Sequence, residues 1–335
     1  MASREFTAVE RLIDERAHRL LDRAPSSRVR AFLVEFAVFI LKQAWACAFG
    51  AALLAVLLVA RLVYPDDAVL ARNDALTIAA VLLQVVMVVA RLETLRELRV
   101  ILLFHIVGTV MELFKTDVGS WAYGDDGVLR IGAVPLFSGF MYAAVGSYMV
   151  RVFRLFDLRF TRYPPRWMTG ILAGLIYLNF FTHHFVWDAR WVLLALVALL
   201  WGPCIMHVRI FRARLRMPIL LSFAGVALFI WVAENLATWA DAWTYPDQAD
   251  GWQPVSLSKV VSWFLLMIIS VVLVAWEYRP RSPDAASSGA PVRVGVVTPE
   301  GGQQQGDHGE QGERDGATHD AAGDPGSVGQ RADPG

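Results

Sequence analysis

Cysteine is almost missing from this 335-residue chain. Cys47 and Cys204 each stand alone inside an apolar run, which excludes a disulfide framework and a cysteine-based zinc site. Familiar catalytic signatures are missing as well: there is no phosphate-binding glycine loop, no G-x-S-x-G elbow and no H-E-x-x-H pair. The first thirty residues are charged and hold no apolar stretch of the kind a cleavable signal peptide requires, so none is expected. Nothing alternates at period two as a barrel strand in lipid would. Lys plus Arg and Asp plus Glu both number 31, so the net charge says nothing about partners.

Apolar residues, by contrast, are in excess. They make up 56% of the chain, against about 45–50% in soluble domains, and the mean hydropathy is +0.45. The excess lies in long runs at about 36–63, 74–90, 97–115, 134–153, 167–184, 191–207, 217–239 and 257–277. A span needs roughly 20 apolar residues to cross a hydrocarbon core of about 30 Å, and lipid forces such spans to be helices. The expected fold is therefore all-α, a polytopic transmembrane helical bundle of about eight spans.

Charge in the connections gives the orientation. The second connection carries Arg91, Arg96 and Arg99. The fourth carries Arg151, Arg154, Arg159, Arg162 and Arg166, and the sixth Arg209, Arg212, Arg214 and Arg216. The third and seventh are acidic around Asp117, Asp125, Asp126, Asp241, Asp247 and Asp250. With eight spans, every basic connection falls on one side. A multi-pass protein of the inner or plasma membrane follows, with both termini cytoplasmic. The basic loops are topogenic, so no nucleic-acid partner is expected; the partners are the lipid bilayer and an apolar small molecule or lipid.

Four regions result. Residues 1–33 read as a cytoplasmic amphipathic helix, with Phe6, Val9, Leu12, Ile13, Leu20 and Leu21 at roughly helical spacing among arginines. Residues 34–163 and 164–279 form two four-helix halves, divided near Pro164 and Pro165. Residues 280–335, rich in Gly, Pro, Gln, Ser and acidic residues, read as a disordered cytoplasmic tail in which His308 and His319 are solvated.

The halves share a pattern. Glu112, Trp121 and Tyr123 are matched by Glu234, Trp243 and Tyr245, each 122 residues on, and Pro254 roughly answers Pro135. An offset of four helices preserves orientation, so two parallel four-helix repeats are expected. The plainer account is coincidence between two loops at membrane level, where Trp and Tyr are enriched anyway.

Ionisable residues inside apolar helices mark candidate sites. Counting from Arg99 at the inner boundary, Glu112 lies about 20 Å across a core of about 30 Å. His105, Gly108, Thr109 and Lys115 form a polar stripe with it. The expected catalytic set is Glu112, Glu234, His183, His184 and Asp188. The expected binding set is His105, Lys115, Asp117, Trp121, Tyr123, Asn235, Trp243 and Tyr245. These groups are placed to meet in one pocket at the acidic-loop end. Glu112 and Glu234 would serve there as acid/base groups toward an apolar substrate. No cofactor is expected. A rival reading puts a metal on His183, His184 and Asp188, but adjacent helical histidines diverge by about 100° and reach one ion only where the helix ends. A third account makes the whole set structural, with Glu bonded to neighbouring donors and His capping a helix.

The stretches MELFKTDVGSWAYGDDGV, VPLFSGFMYAAVGSYMVRVFRLFDLRF, NFFTHHFVWDAR and RMPILLSFAGVALFIWVAENLATWADAWTYPDQADGWQPVSLSKVVSWFLLMIIS resemble the domain-of-unknown-function 817 (DUF817) family of bacterial integral membrane proteins, over roughly residues 30–280. That resemblance implies a multi-pass membrane protein and no activity. Locally, Glu112, Gly119, Trp121, Tyr123, Val134, Pro135 and Leu136 resemble the carotenoid-biosynthesis membrane family, which includes carotenoid hydratases and heterodimeric lycopene cyclases. The second copy lacks the glycine before its tryptophan, and Val255 follows Pro254. The expected function is a membrane-embedded enzyme acting on a lipid or isoprenoid-like substrate. The alternatives are a small-solute transporter or channel, and a non-catalytic structural or sensory membrane protein.

Overall fold

The computed structural model describes residues 7–22, 28–65 and 67–283; the expected tail lies outside them from residue 284. Helices form the body. They are α1 (Ala8–Asp22), α2 (Arg28–Ala46), α3 (Ala48–Val63), α4 (Arg72–Val89), α5 (Leu95–Asp117), α6 (Phe137–Phe156), α7 (Arg166–Thr182), α8 (Arg190–Trp201), α9 (Ile219–Trp239) and α10 (Ser258–Glu277). Six of the eight apolar runs coincide with one helix each; the first is the pair α2–α3 bent by 63° at Cys47, and the sixth is helical only as far as Trp201. Among the described residues, α4, α9 and α10 are long and apolar enough to cross a membrane, and the bent pair makes a fourth candidate.

Three expectations need correction. The first is the all-α class. Arg159–Thr161 (β3), Ile205–Arg209 (β4) and Arg214–Pro218 (β5) form an antiparallel sheet in the order β3-β4-β5, and Arg130–Ile131 (β1) pairs with Val134–Pro135 (β2). The arginine-rich connections therefore fold into strands. Met206, Val208, Leu215 and Met217 line a cavity, while Arg209, Arg214 and Arg216 are exposed. As a consequence the sixth run does not continue as helix to 207. Its 12-residue helix α8 stops at Trp201 and spans only about 18 Å.

The second concerns the expected N-terminal helix, whose described residues fall in two helices, α1 and the start of α2. The structure places α1 against the bundle through Glu10, whose Oε1 accepts from Trp45 Nε1 at 3.2 Å and from Arg154 at 2.7 Å. The boundary at 33 falls inside α2.

The third concerns Arg151 and Arg154, which are not loop residues. They occupy the last turns of α6. Arg151 is fully buried and pairs at 3.0 Å with Glu93, itself buried and also bonded by Ser147 and Gln84. Arg154 pairs with Glu10 and Glu97. Burying such charges is costly unless each is paired and hydrogen-bonded, and here they are.

The connections gather at two ends. At one, Ala122 bridges to Thr244, Arg61 pairs with Asp241, Asn73 bonds Asp126 at 2.7 Å, and Lys115 meets His184. At the other, the β3-β4-β5 sheet lies with Arg96–Glu277 at 2.6 Å. Glu35 caps the β4–β5 hairpin by accepting from Arg212 N and Ala213 N at 2.8 and 2.9 Å. The expected tail boundary also shifts, because Phe160 N donates to Arg281 O at 2.9 Å, fastening residues past 280 to β3.

The outer surface of the helices is rich in large apolar side chains. α5 opens with a capping box between Thr94 and Glu97. It buries Phe104, Gly108, Met111, Glu112 and Lys115 while exposing Leu102, Ile106 and Val110. Ionisable groups inside and apolar groups outside is the arrangement lipid solvation favours.

Candidate functional site

The site is built around two buried glutamates. Glu112 lies in the last turns of α5, where the chain needs close contact with α6. Gly108 supplies it: a Cβ there would stand 2.3 Å from Tyr142 Cγ. The Tyr142 ring crosses this gap and its OH donates to Glu112 Oε1 at 2.5 Å. Gly139 makes the matching gap on α6 for His105 and Thr109. The loop after α5 then folds back. Trp121 Nε1 and Tyr123 OH both donate to Glu112 Oε2, each at 2.7 Å. Three neutral donors converge on one carboxylate that is 2% exposed, taking three of its roughly four acceptor positions.

Glu234 on α9 repeats the plan with two donors, Tyr245 OH to Oε1 at 2.5 Å and Trp263 Nε1 to Oε2 at 2.7 Å. Burial, then the adjacent carboxylate, pushes the phenols of Tyr123 and Tyr245 far above their ordinary value, so both remain neutral donors. The two loops meet: Trp121 packs edge-on against Tyr245 with ring centroids 6.1 Å apart.

Between these carboxylates and the sheet lies a cavity of about 970 Å³. Its polar end is lined by Glu112, Glu234, Lys115, His184, Arg190 and Lys259. Its far end is lined by Phe156, Leu158, Phe160, Met206, Val208 and Met217. Lys115, 2% exposed, bonds His184 Nε2 at 2.9 Å and stands 4.0 Å from the Phe180 ring centroid. Ser120 Oγ is 3.2 Å from the same His184 nitrogen. Burial, then Lys115, lowers the His184 imidazole below its ordinary value, so its ring accepts from the lysine.

Of the residues expected from sequence, Glu112, Glu234, His183, His184, Lys115, Trp121, Trp243 and Tyr245 line this one cavity. Five do not. His105 packs on Phe140, with ring centroids 4.7 Å apart. Asp117 is exposed at the end of α5. Tyr123 is buried behind Glu112. Asn235 Oδ1 accepts from Val255 N at 2.9 Å and so holds the seventh connection.

Asp188, the fifth, is bound to Arg190 Nε at 2.6 Å and to Asn179. Burial opposes its charge, but the Asn179 side chain and Arg190 outweigh burial and hold the carboxyl below its ordinary value. His183 Nδ1 lies 3.1 Å from the carbonyls of Asn179 and Phe180, capping α7. His183, His184 and Asp188 thus turn to separate partners, and no group of three or more His, Cys, Asp or Glu residues able to hold a metal occurs among the described residues.

Tyr142, Trp263, Arg190 and Lys259 were missed in the sequence. One signal for Lys259 was available. The chain has three lysines, Lys42, Lys115 and Lys259, against 28 arginines (31 − 3). Two of the three line the cavity.

Residues 35–271 match the model of a family described as "Protein of unknown function (DUF817)". The uncharacterized protein YoaT of Bacillus subtilis (strain 168) is 45% identical over 247 residues, covering 73% of this chain and 93% of that protein. No solved structure matches. With the family model spanning most of the chain and this relative covered almost end to end, the protein belongs to the DUF817 family.

Proposed function

We propose that the protein is a multi-pass membrane protein that binds a lipid-like or isoprenoid-like amphiphile in the cavity between two parallel four-helix halves. The observation that carries this reading is the cavity itself, about 970 Å³, polar at one end and apolar through the rest. Eight crossings are supported by the way alternate connections gather at opposite ends, the sixth being made by α8 and the turn after it. The charge pattern of the connections supports a cytoplasmic side of a cell membrane for the sheet and, with it, for both ends of the chain. The duplication is supported by Ala122 and Thr244, again 122 residues apart, which pair with one another. The apolar lining toward the sheet favours a bound chain over a solute path, because a carrier needs polar groups leading to both sides. Glu112 and Glu234 serve in this reading as the anchors that set the cavity wall.

A second reading, acid/base turnover of the bound molecule, is favoured by the contact of Lys115, His184 and Ser120 at the polar end. Three groups with exchangeable protons face the cavity there, whereas the Glu112 oxygens are already occupied.

The test is the lipid that accompanies the purified protein. Gly225 lines the cavity, and a Cβ built there meets nothing within 4 Å. Gly225→Phe should therefore put a ring into the cavity and obstruct it without disturbing the fold. Mass spectrometry of organic extracts should find a lipid with the wild type and lose it in Gly225→Phe at equal folded yield. Equal lipid content in both would overturn the reading, and a product that accumulates only with active protein would support turnover.

A further inference from the structure

We infer that the polar end of the cavity is a site for a phosphate-type anion, the head of the amphiphile whose chain fills the apolar end; this rests on the cavity reading above. Three cationic side chains from three helices line that end: Lys115 on α5, Arg190 on α8 and Lys259 on α10. Lys259 and Arg190 both act on Lys115 as like charges. Such repulsion in a buried place is unfavourable unless an anion offsets it.

The neighbouring carboxylates are committed elsewhere. Glu112 accepts from three donors and Glu234 from two. Asp188 is taken by Arg190 Nε, the Arg190 backbone N–H and Asn179. Glu234 and Asp247 attract Lys259 at longer range, and Asp188 attracts Lys115. Among the described residues, however, neither lysine forms an ion pair. Lys115, almost wholly buried, lines the cavity, bonds His184 and rests over the Phe180 ring. Lys259 rests over the Tyr245 ring, 4.2 Å from its centroid. The terminal nitrogens of Arg190 make no protein hydrogen bond among the described residues.

Helix ends add to this. Arg190 is the first residue of α8 and Lys259 the second of α10, and neither helix has an acidic residue in its first turn. The positive end of a helix dipole disfavours cations and favours anions. At α8 Asp188 already meets the Arg190 N–H, whereas the first turn of α10 carries Lys259 and no acid, so its N-terminus points to an external negative charge. Several separated donors suit an anion with several oxygens, and phosphate presents them in all directions.

The experiment titrates full-length protein in amphipol with dodecyl phosphate, dodecanol and inorganic phosphate, reading the fluorescence of the cavity tryptophans. Dodecyl phosphate should bind about tenfold more tightly than dodecanol, the size of effect expected of charge-assisted hydrogen bonds. Lys115→Gln should abolish that preference while dodecanol still binds. Lys259→Gln, at a half-buried position that is easier to vary, should reduce it and keeps the test decisive if Lys115→Gln fails to fold. Gly225→Phe should lose both amphiphiles. Equal affinity for dodecyl phosphate and dodecanol in the wild type would overturn the anion site and leave the cavity reading standing. Failure of both amphiphiles to bind would remove the cavity reading and this inference with it. Tight binding of inorganic phosphate with no gain from the chain would show a site for the free anion and overturn the amphiphile. A preference unchanged in both lysine variants would overturn the assignment to these residues.

Discussion

Ala122 and Thr244 donate their backbone N–H groups to each other's carbonyl oxygens, both at 2.9 Å. An antiparallel bridge of this kind has a local two-fold relation at its centre. The two residues are separated by the spacing that also separates Glu112 from Glu234 and Tyr123 from Tyr245. The bridge brings the two donor loops together, and each loop in turn holds its own glutamate.

The donors around each glutamate set its contribution to stability. Glu112→Leu leaves three donors, one buried and two half-buried, without an acceptor and Glu234→Leu leaves two, one buried and one half-buried. At about 1–3 kcal/mol for each orphaned group, Glu112→Leu should cost at least about 3 kcal/mol and Glu234→Leu about two-thirds as much. Glu112→Gln should be milder, losing one acceptor position. Thermal unfolding midpoints in a single detergent check the order, and an equal or reversed effect of the two leucine variants would contradict it.

Gly108 should tolerate no side chain. The Cβ of Gly108→Ala would overlap the Tyr142 ring, so helix separation or ring displacement must follow, costing about 1–3 kcal/mol. The same change at Gly174, which faces open space, should be neutral or stabilising. A comparison of melting temperatures for the two alanine variants tests the claim directly.

The pair Arg151–Glu93 should show strong coupling. Removing one member strands the other as a buried charge, so Arg151→Leu and Glu93→Leu should each cost about 3–5 kcal/mol. The double variant should cost much less than their sum. A double-mutant cycle from chemical unfolding measures this, and simple additivity would argue against a working pair.

Orientation can be read by labelling. In a background lacking Cys47 and Cys204, Asp125→Cys and Arg214→Cys place thiols in connections at opposite ends of the bundle. An impermeant maleimide on intact cells should label position 125 and spare 214. Labelling of both, or of 214 alone, would break the proposed topology.

The helices were legible because each apolar run is long enough to declare itself. The shared cavity was partly legible because Glu112, Glu234 and the loop tryptophans repeat at one offset. The sheet was hidden. Its strands hold three to five residues each, and β3 reaches its partner from Arg159 to His207, far along the chain. Their arginines read as solvated loop, although the intervening Met206, Val208, Leu215 and Met217 alternate as a strand must. Arg151 and Arg154 were misread for a related reason: a sequence displays a charge without its partner, and Glu93, Glu97 and Glu10 come from elsewhere. Lys259 escaped notice because a lone lysine beside serines looks like a helix end facing water.

The order of those ion-pair partners along the chain bears on how the protein is made. α6 carries two arginines within its last two turns, a poor passenger for a membrane by itself. Their partners Glu10, Glu93 and Glu97 all precede α6 in the chain. When α6 leaves the ribosome, every carboxylate that neutralises it has already been synthesised, so the arginines can be matched as they arrive instead of waiting for the second half.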